Sequence, residues 1–182
     1  MTARIPEAPG LRDLGLVNWL VCKVVAARQH VPRAHLFTTL GQHKRLMWSW
    51  LPFGGVLMRG GKLSTRDTEL VILRVGHLRD SRYELQHHRR MAAAAGLDDA
   101  TQARIFEGPG GPHFDELTDR QRVMLIAIDE LVQSRTLSDA TWEQLSEHLD
   151  RPRLIEFVML TSQYDALAAT LSALRVPLDF DE

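Results

Sequence analysis

Three ionisable residues, Glu69, Glu84 and His88, lie where the sequence predicts the apolar sides of two consecutive helices. Glu69 shares its helical face with Ile72 and Leu73. An ionisable group on a buried face costs free energy unless it is paired or used in chemistry. A carboxylate beside an imidazole is an arrangement used for acid–base catalysis near neutral pH. We therefore expect the chemistry of this chain to be located here.

Glu84 and His88 are four residues apart, so their side chains meet on one helical turn. Two interpretations are open: an ordinary ion pair on the helix surface, or a catalytic pair in which Glu84 orients His88. The helix face favours the second, because Ser81 lies on the same side and the strongly hydrophilic residues lie opposite. His87 is rotated by about 100° from His88 and is predicted at the surface or in an interface.

The partner of Glu69 must come from another element, because no polar residue follows it at helical intervals. One alternative is a structural carboxylate paired with an arginine such as Arg66 or Arg74. The other places Glu69 opposite His88 across a helical hairpin, where burial removes water from both groups. Metal ligation is not expected: Glu-x-x-His occurs at residues 84–87, but the second copy that a di-iron site needs is missing.

The sequence predicts an all-α fold, because apolar residues recur every three to four positions and no segment alternates as a strand would. We expect an irregular arm at residues 1–13 and a single helical domain at residues 14–182, with a loop at residues 108–112 between two helical halves. Five helices are expected at about 14–27, 34–50 (ended by Pro52), 64–78, 81–95 and 98–106. Two more are expected to contain residues 123–131 and 142–145, and the last spans about 152–174.

Ser81 and Tyr83 on the hairpin, and four residues outside it, are candidates for substrate contacts. Phe53 and Met58 flank the glycines of the segment LPFGGVLMRGG and would form pocket walls if this segment closes over the hairpin. Gln163 and Tyr164 interrupt the apolar pattern of the last helix, where they either line a pocket or serve as ordinary helix residues. Thr161, close to them, is expected to bond back to the helix backbone.

Composition excludes several classes of function. Lys and Arg (22) nearly balance Asp and Glu (23), so no basic field is available for nucleic acid. The single cysteine, Cys22, excludes an internal disulfide and a Cys-x-x-Cys pair. No apolar signal core and no membrane-spanning segment are found, which predicts a cytoplasmic protein without membrane contacts.

Several segments together resemble the carboxymuconolactone decarboxylase family, whose fold is shared with the alkyl hydroperoxidase D-type (AhpD-type) disulfide reductases. The resemblance runs from about His35 to Leu178, and the combination is more specific than any single motif. The segments that carry it are LFTTLGQH, LPFGGVLMRGGKLSTRDTELVILRV, YELQHH, AAAAGLDD, LSDATWEQL and TSQYDALAATLSALRVPLD. It implies an AhpD-like helical bundle.

The reductase branch of this family carries a glutamate, a Cys-x-x-Cys pair and a histidine four residues later. The glutamate falls on Glu69, the cysteines on Ser81 and Glu84, and the histidine on His88. The missing thiols argue against peroxide reduction, which needs a thiolate.

The decarboxylase-like branch keeps a glutamate after a tyrosine and the downstream histidine, which Tyr83, Glu84 and His88 match. Leu85 replaces its usual aromatic residue, and Asp165 stands where many relatives have a histidine.

The resemblance implies a cofactor-free carbon–carbon lyase, or an enzyme of isomerisation or lactone opening, acting on a small carboxylated lactone or keto acid. His88 would be the acid or base, Glu84 would orient it, and Glu69 would relay the proton. Backbone amides at the helix start near Ser81 would receive an anion. The resemblance also implies a homo-oligomer, since relatives assemble as oligomers, and the expected state is a trimer, a hexamer or a dimer. The alternative is a non-catalytic oligomeric helical protein that binds a small ligand or a partner.

Overall fold

The computed structural model describes residues 2–7 and 10–180, in which nine α-helices and no strand are found. The predicted all-α fold is confirmed. Residues 1, 8 and 9 of the predicted arm lie outside the described residues. The helices are α1 (Leu11–Gln29), α2 (His35–Leu40), α3 (Lys44–Gly55), α4 (Thr65–Leu78), α5 (Arg82–Ala94), α6 (Asp99–Glu107), α7 (Asp119–Ser134), α8 (Asp139–His148) and α9 (Arg151–Leu174). None of the described helices combines the length and apolarity needed to cross a bilayer.

The chain divides into two compact units, residues 1–56 with 170–182, and residues 57–169. In the first unit, Leu14, Cys22 and Met47 form a buried apolar cluster. The expected helix at 34–50 is two helices, α2 and α3. The prediction that Pro52 ends it was wrong, because α3 continues through Pro52 to Gly55. A proline removes one helical hydrogen bond but does not always stop the helix.

In the second unit, α4 is buried over most of its length, as its nearly continuous apolar sequence predicted. Side-chain caps begin two of these helices: Ser64 accepts a hydrogen bond from the Asp67 amide at 3.1 Å at the start of α4, and Thr118 and Gln121 form a capping box on α7. A π-helical turn, Val56–Gly60, and the loop after it precede α4.

A tight connection joins α4 to α5. Asp80 takes a left-handed backbone conformation (φ 48°), and the Ser81 amide donates to the Gly76 carbonyl at 2.8 Å. A Cβ at Gly76 would lie 3.3 Å from Leu85. The glycine therefore lets the two helices approach closely, which is what places the residues of α4 opposite those of α5.

A buried arginine, Arg74, fixes α4 to its neighbours in the second unit. Arg74 donates to both carboxylate oxygens of Asp129 at 2.6 Å and to the carbonyls of Ile105 and Phe106. The loop at residues 108–112 follows α6. Gly108 (φ 67°) packs directly on the Arg74 guanidinium, where a Cβ would come within 2.2 Å of Nη2.

Candidate active site

The α4–α5 hairpin brings Glu69 and His88 into contact. Glu69 Oε2 lies 2.8 Å from His88 Nδ1, and the two residues are 0% and 8% exposed. Of the two arginines proposed as alternative partners of Glu69, Arg74 binds Asp129 instead. A carboxylate on Nδ1 holds the ring so that Nε2 presents its lone pair for proton transfer.

The orienting role assigned to Glu84 was wrong, because the contact with the imidazole belongs to Glu69. Glu84 is 3% exposed, and neither of its carboxylate oxygens has a hydrogen-bond partner among the described residues. Burial raises its pKa to about 8; the Ser81 side chain acts in the opposite direction, and the negative charge of Asp165 adds to the increase. Glu84 is therefore a neutral carboxylic acid at pH 7 rather than a carboxylate partner.

Tyr164 closes the other side of His88. Its hydroxyl lies 3.4 Å from His88 Nε2, and its ring meets the imidazole edge-on, with centroids 5.3 Å apart. The same hydroxyl contacts the sulfur of Met58. Burial, together with the charges of Glu84 and Glu69, raises the pKa of Tyr164 well above its usual value. The phenol stays protonated, and its long contact leaves Nε2 available for a stronger partner.

A cavity of about 580 Å³ lies beside this cluster, within the range of sites for small molecules. Its walls come from the π-helical turn and the facing ends of α4 and α5. Glu69 Oε1 is buried and has no hydrogen-bond partner among the described residues. The lining residues are Met58, Arg59, Thr65, Glu69, Met91, Ala94 and Ala95. A fully buried carboxylate thus borders a space large enough for a small organic acid.

The other predicted contact residues are not among those that line this cavity. Ser81 is the buried N-cap residue of α5, although its side chain makes no cap hydrogen bond. Tyr83 packs against His87, with ring centroids 5.1 Å apart. His87, predicted at the surface or in an interface, is 8% exposed, so the surface alternative was wrong. Gln163 is half-buried on α9, and Phe53 belongs to α3 of the first unit.

Thr161 and Asp165, both on α9, make structural contacts. Thr161 donates to the Phe157 carbonyl at 2.8 Å, as expected for a buried helix hydroxyl. Asp165 accepts hydrogen bonds from Arg79 and Arg135. The position that many relatives fill with a histidine therefore holds an ion pair in this chain.

Sequence reasoning missed Arg59 and Thr65 as cavity residues. A signal for Thr65 was available, since it precedes Glu69 by one helical turn and shares its face. Arg59 stands in an irregular turn, whose side-chain directions no periodicity predicts. Among the residues that the structure describes, no three His, Cys, Asp or Glu side chains are grouped to hold a metal ion.

Residues 44–114 match the sequence model of the carboxymuconolactone decarboxylase family. This segment contains Glu69, Glu84 and His88, and the match agrees with the resemblance that the sequence predicted. No curated protein is significantly similar to the chain in sequence.

Solved structures share the fold. One is described as an alkylhydroperoxidase AhpD core, an uncharacterized peroxidase-related protein from Ralstonia eutropha JMP134; it has a TM-score of 0.81, 15% identity and coverage of 97% of this chain and 92% of that chain. An uncharacterized peroxidase-related protein from Silicibacter sp. TM1040 has a TM-score of 0.79 and 17% identity, covering 95% and 88% of the two chains. A protein of unknown function from Agrobacterium tumefaciens has a TM-score of 0.65 and 14% identity, covering 73% and 90%. At these identities the likeness establishes the AhpD-like fold.

Proposed function

We propose that this protein is an enzyme of acid–base chemistry that decarboxylates, isomerises or opens a small carboxylated lactone or keto acid without a cofactor. The observation that supports it most is the buried Glu69–His88 pair, in contact at 2.8 Å beside a cavity of about 580 Å³. The match of residues 44–114 to the sequence model of the carboxymuconolactone decarboxylase family agrees with this reaction class.

His88 Nε2 is the atom that takes or returns a proton. Glu69 holds the ring through Nδ1 and stabilises the imidazolium when Nε2 is protonated. A positioned general base of this kind contributes about 10²- to 10⁴-fold to a rate. Tyr164 limits the rotation of the ring by packing against it edge-on.

Glu84 supplies the matching acid. With a pKa of about 8, about nine-tenths of Glu84 is protonated at pH 7. When a carbon–carbon bond breaks and carbon dioxide leaves, the bonding electrons remain on the substrate as a dienolate, which then needs a proton. A neutral carboxylic acid in a dry site is suited to donate it, and the contrast between Glu84 and the Glu69–His88 pair separates the acid from the base.

Peroxide reduction by a thiol is disfavoured by the chemistry of the residues present. Ser81 and Glu84 occupy the positions that a Cys-x-x-Cys pair would need. Cys22, the single cysteine of the sequence, lies buried in the first unit. Burial raises the pKa of its thiol, so it is a poor source of thiolate.

The test measures deuterium incorporation from solvent into the carbons beside the ketone of 4-oxopentanoate, followed by NMR. We expect His88→Gln and Glu69→Gln to slow the exchange at least about 100-fold. His87→Gln is a matched control, because His87 is also 8% exposed, is on the same helix and packs against Tyr83 instead. Equal exchange by wild type and His88→Gln, or equal loss in a folded His87→Gln, would refute the role of His88.

A further inference from the structure

We propose that Arg59 binds a carboxylate of the substrate in the cavity that the Glu69–His88 pair borders. The inference rests on the proposed function for the identity of the reacting centre. It identifies Arg59 as the residue that selects the substrate. It also specifies the class of substrate, a small acid whose carboxylate is remote from the reacting atoms.

Arg59 and Glu69 are the two charged residues that line the cavity. Arg59 is exposed, and its guanidinium has no ion-pair or hydrogen-bond partner within the part of the chain that the structure describes. The remaining lining residues are apolar except for Thr65. The cavity therefore combines one free cation with a buried proton-transfer group, and its other walls suit a hydrocarbon skeleton.

The cavity has both exposed and buried lining residues. Thr65 and Glu69 are four residues apart on one face of α4, and both line the cavity. Thr65 is exposed, as Arg59 is, whereas Glu69 is fully buried. An acid whose carboxylate binds the exposed Arg59 therefore shares the cavity with the buried Glu69 carboxylate.

The turn that carries Arg59 is held in place on its C-terminal side. Glu156 of α9 accepts hydrogen bonds from the Lys62 and Leu63 amides, and Arg153 donates to the Lys62 carbonyl at 3.0 Å. A Cβ at Gly61 would lie 1.9 Å from Glu156 Oε1, so a larger residue at this position would displace the Glu156 carboxylate. Arg59 therefore stands on an anchored segment.

A single guanidinium neutralises the charge of one carboxylate, whereas a phosphate dianion would keep one uncompensated negative charge in the cavity that Glu69 lines. The two parallel N–H groups of the guanidinium bind the two carboxylate oxygens together. The remote position also suits catalysis, since binding energy at a non-reacting group holds the reacting carbon in place.

The experiment measures binding by NMR titration for three probes: 4-oxopentanoate, its methyl ester and inorganic phosphate. We expect wild type to bind the acid, and Arg59→Gln to weaken that binding about 10- to 100-fold, the range for a charged hydrogen-bonded contact. Binding of the methyl ester should be the same in both proteins. Arg66→Gln is the matched control, because Arg66 is also exposed and lies at the start of α4 outside the cavity lining.

Three results would overturn the inference: no binding of the acid to wild type, equal binding by Arg59→Gln, or phosphate binding as tightly as the acid and weakened equally by the substitution. The last would indicate a general anion site. Failure of the proposed function gives a different pattern. In that case Arg59-dependent binding of the acid persists, while deuterium exchange is absent in wild type, and only the identity of the reacting centre loses its basis.

Discussion

Replacing Glu84 by glutamine should stabilise the protein increasingly as the pH rises. The folded pKa is about 8, against 4.5 for the free side chain, so between these values the folded state holds a proton that the unfolded state has lost. Stability of the wild type therefore falls as the pH rises through this window, and the cost is complete above pH 8. The shift corresponds to about 3 kcal/mol at pH 7 and about 5 kcal/mol at pH 9.

Urea unfolding of wild type and Glu84→Gln at pH 5 and pH 9 measures this cost. Because the amide does not titrate, the stability difference between the proteins should grow by about 4 kcal/mol in favour of the variant between the two pH values. Glu143→Gln, at an exposed position of α8, should show no such growth. A difference for Glu84→Gln that is independent of pH would refute the assignment of Glu84 as a buried neutral acid, whatever the absolute stabilities.

Three further predictions concern other contacts. The pKa of His35 is raised, mainly by its hydrogen bond to Asp179. The stability that His35 contributes is therefore complete below pH 6.5 and is lost as the pH rises through its folded pKa. In thermal unfolding, His35→Gln should be closest to wild type at pH 9. In urea unfolding, Gly108→Ala should destabilise the protein by over about 2 kcal/mol more than Gly110→Ala does. Both glycines have positive φ, but only a Cβ at position 108 would meet the buried Arg74 guanidinium. Tyr164→Phe removes the hydroxyl that lies 3.4 Å from the imidazole of His88. It should displace the pH profile of deuterium exchange and leave the thermal unfolding midpoint within a few degrees of that of wild type. An unchanged profile would argue against the contact.

The elements of the second unit were predictable because their signals are local. Ser64 and Thr118 are N-cap residues that indicate the starts of α4 and α7, and the apolar sequence of α4 indicates burial on all sides. Pairing was less predictable. Glu84 and His88 have the spacing of a helical pair, yet the imidazole turns toward α4, because the close packing at Gly76 brings Glu69 within reach. Spacing shows which side chains share a face, whereas the rotamers depend on the neighbouring helix.

The burial of His87 and the cavity position of Arg59 had no comparable signal. His87 is polar and faces away from the Glu84 side of α5, which in a surface helix indicates solvent, but α5 is covered on more than one side. Arg59 lies in a π-helical turn, where the usual relation between sequence spacing and side-chain direction does not hold. Both outcomes depend on contacts between elements distant in sequence.

The contrast between paired and unpaired charges supports a functional origin for the cluster around His88. Within the second unit, Arg74 binds Asp129, Arg120 binds Asp67, and Asp165 accepts from two arginines. Three carboxylate oxygens, both of Glu84 and Oε1 of Glu69, are buried without a partner among the described residues. A fold that pairs its other buried acids so consistently does not need these for stability, since an apolar residue at position 84 would avoid the cost. Retaining them beside an oriented imidazole is expected where proton transfer requires them.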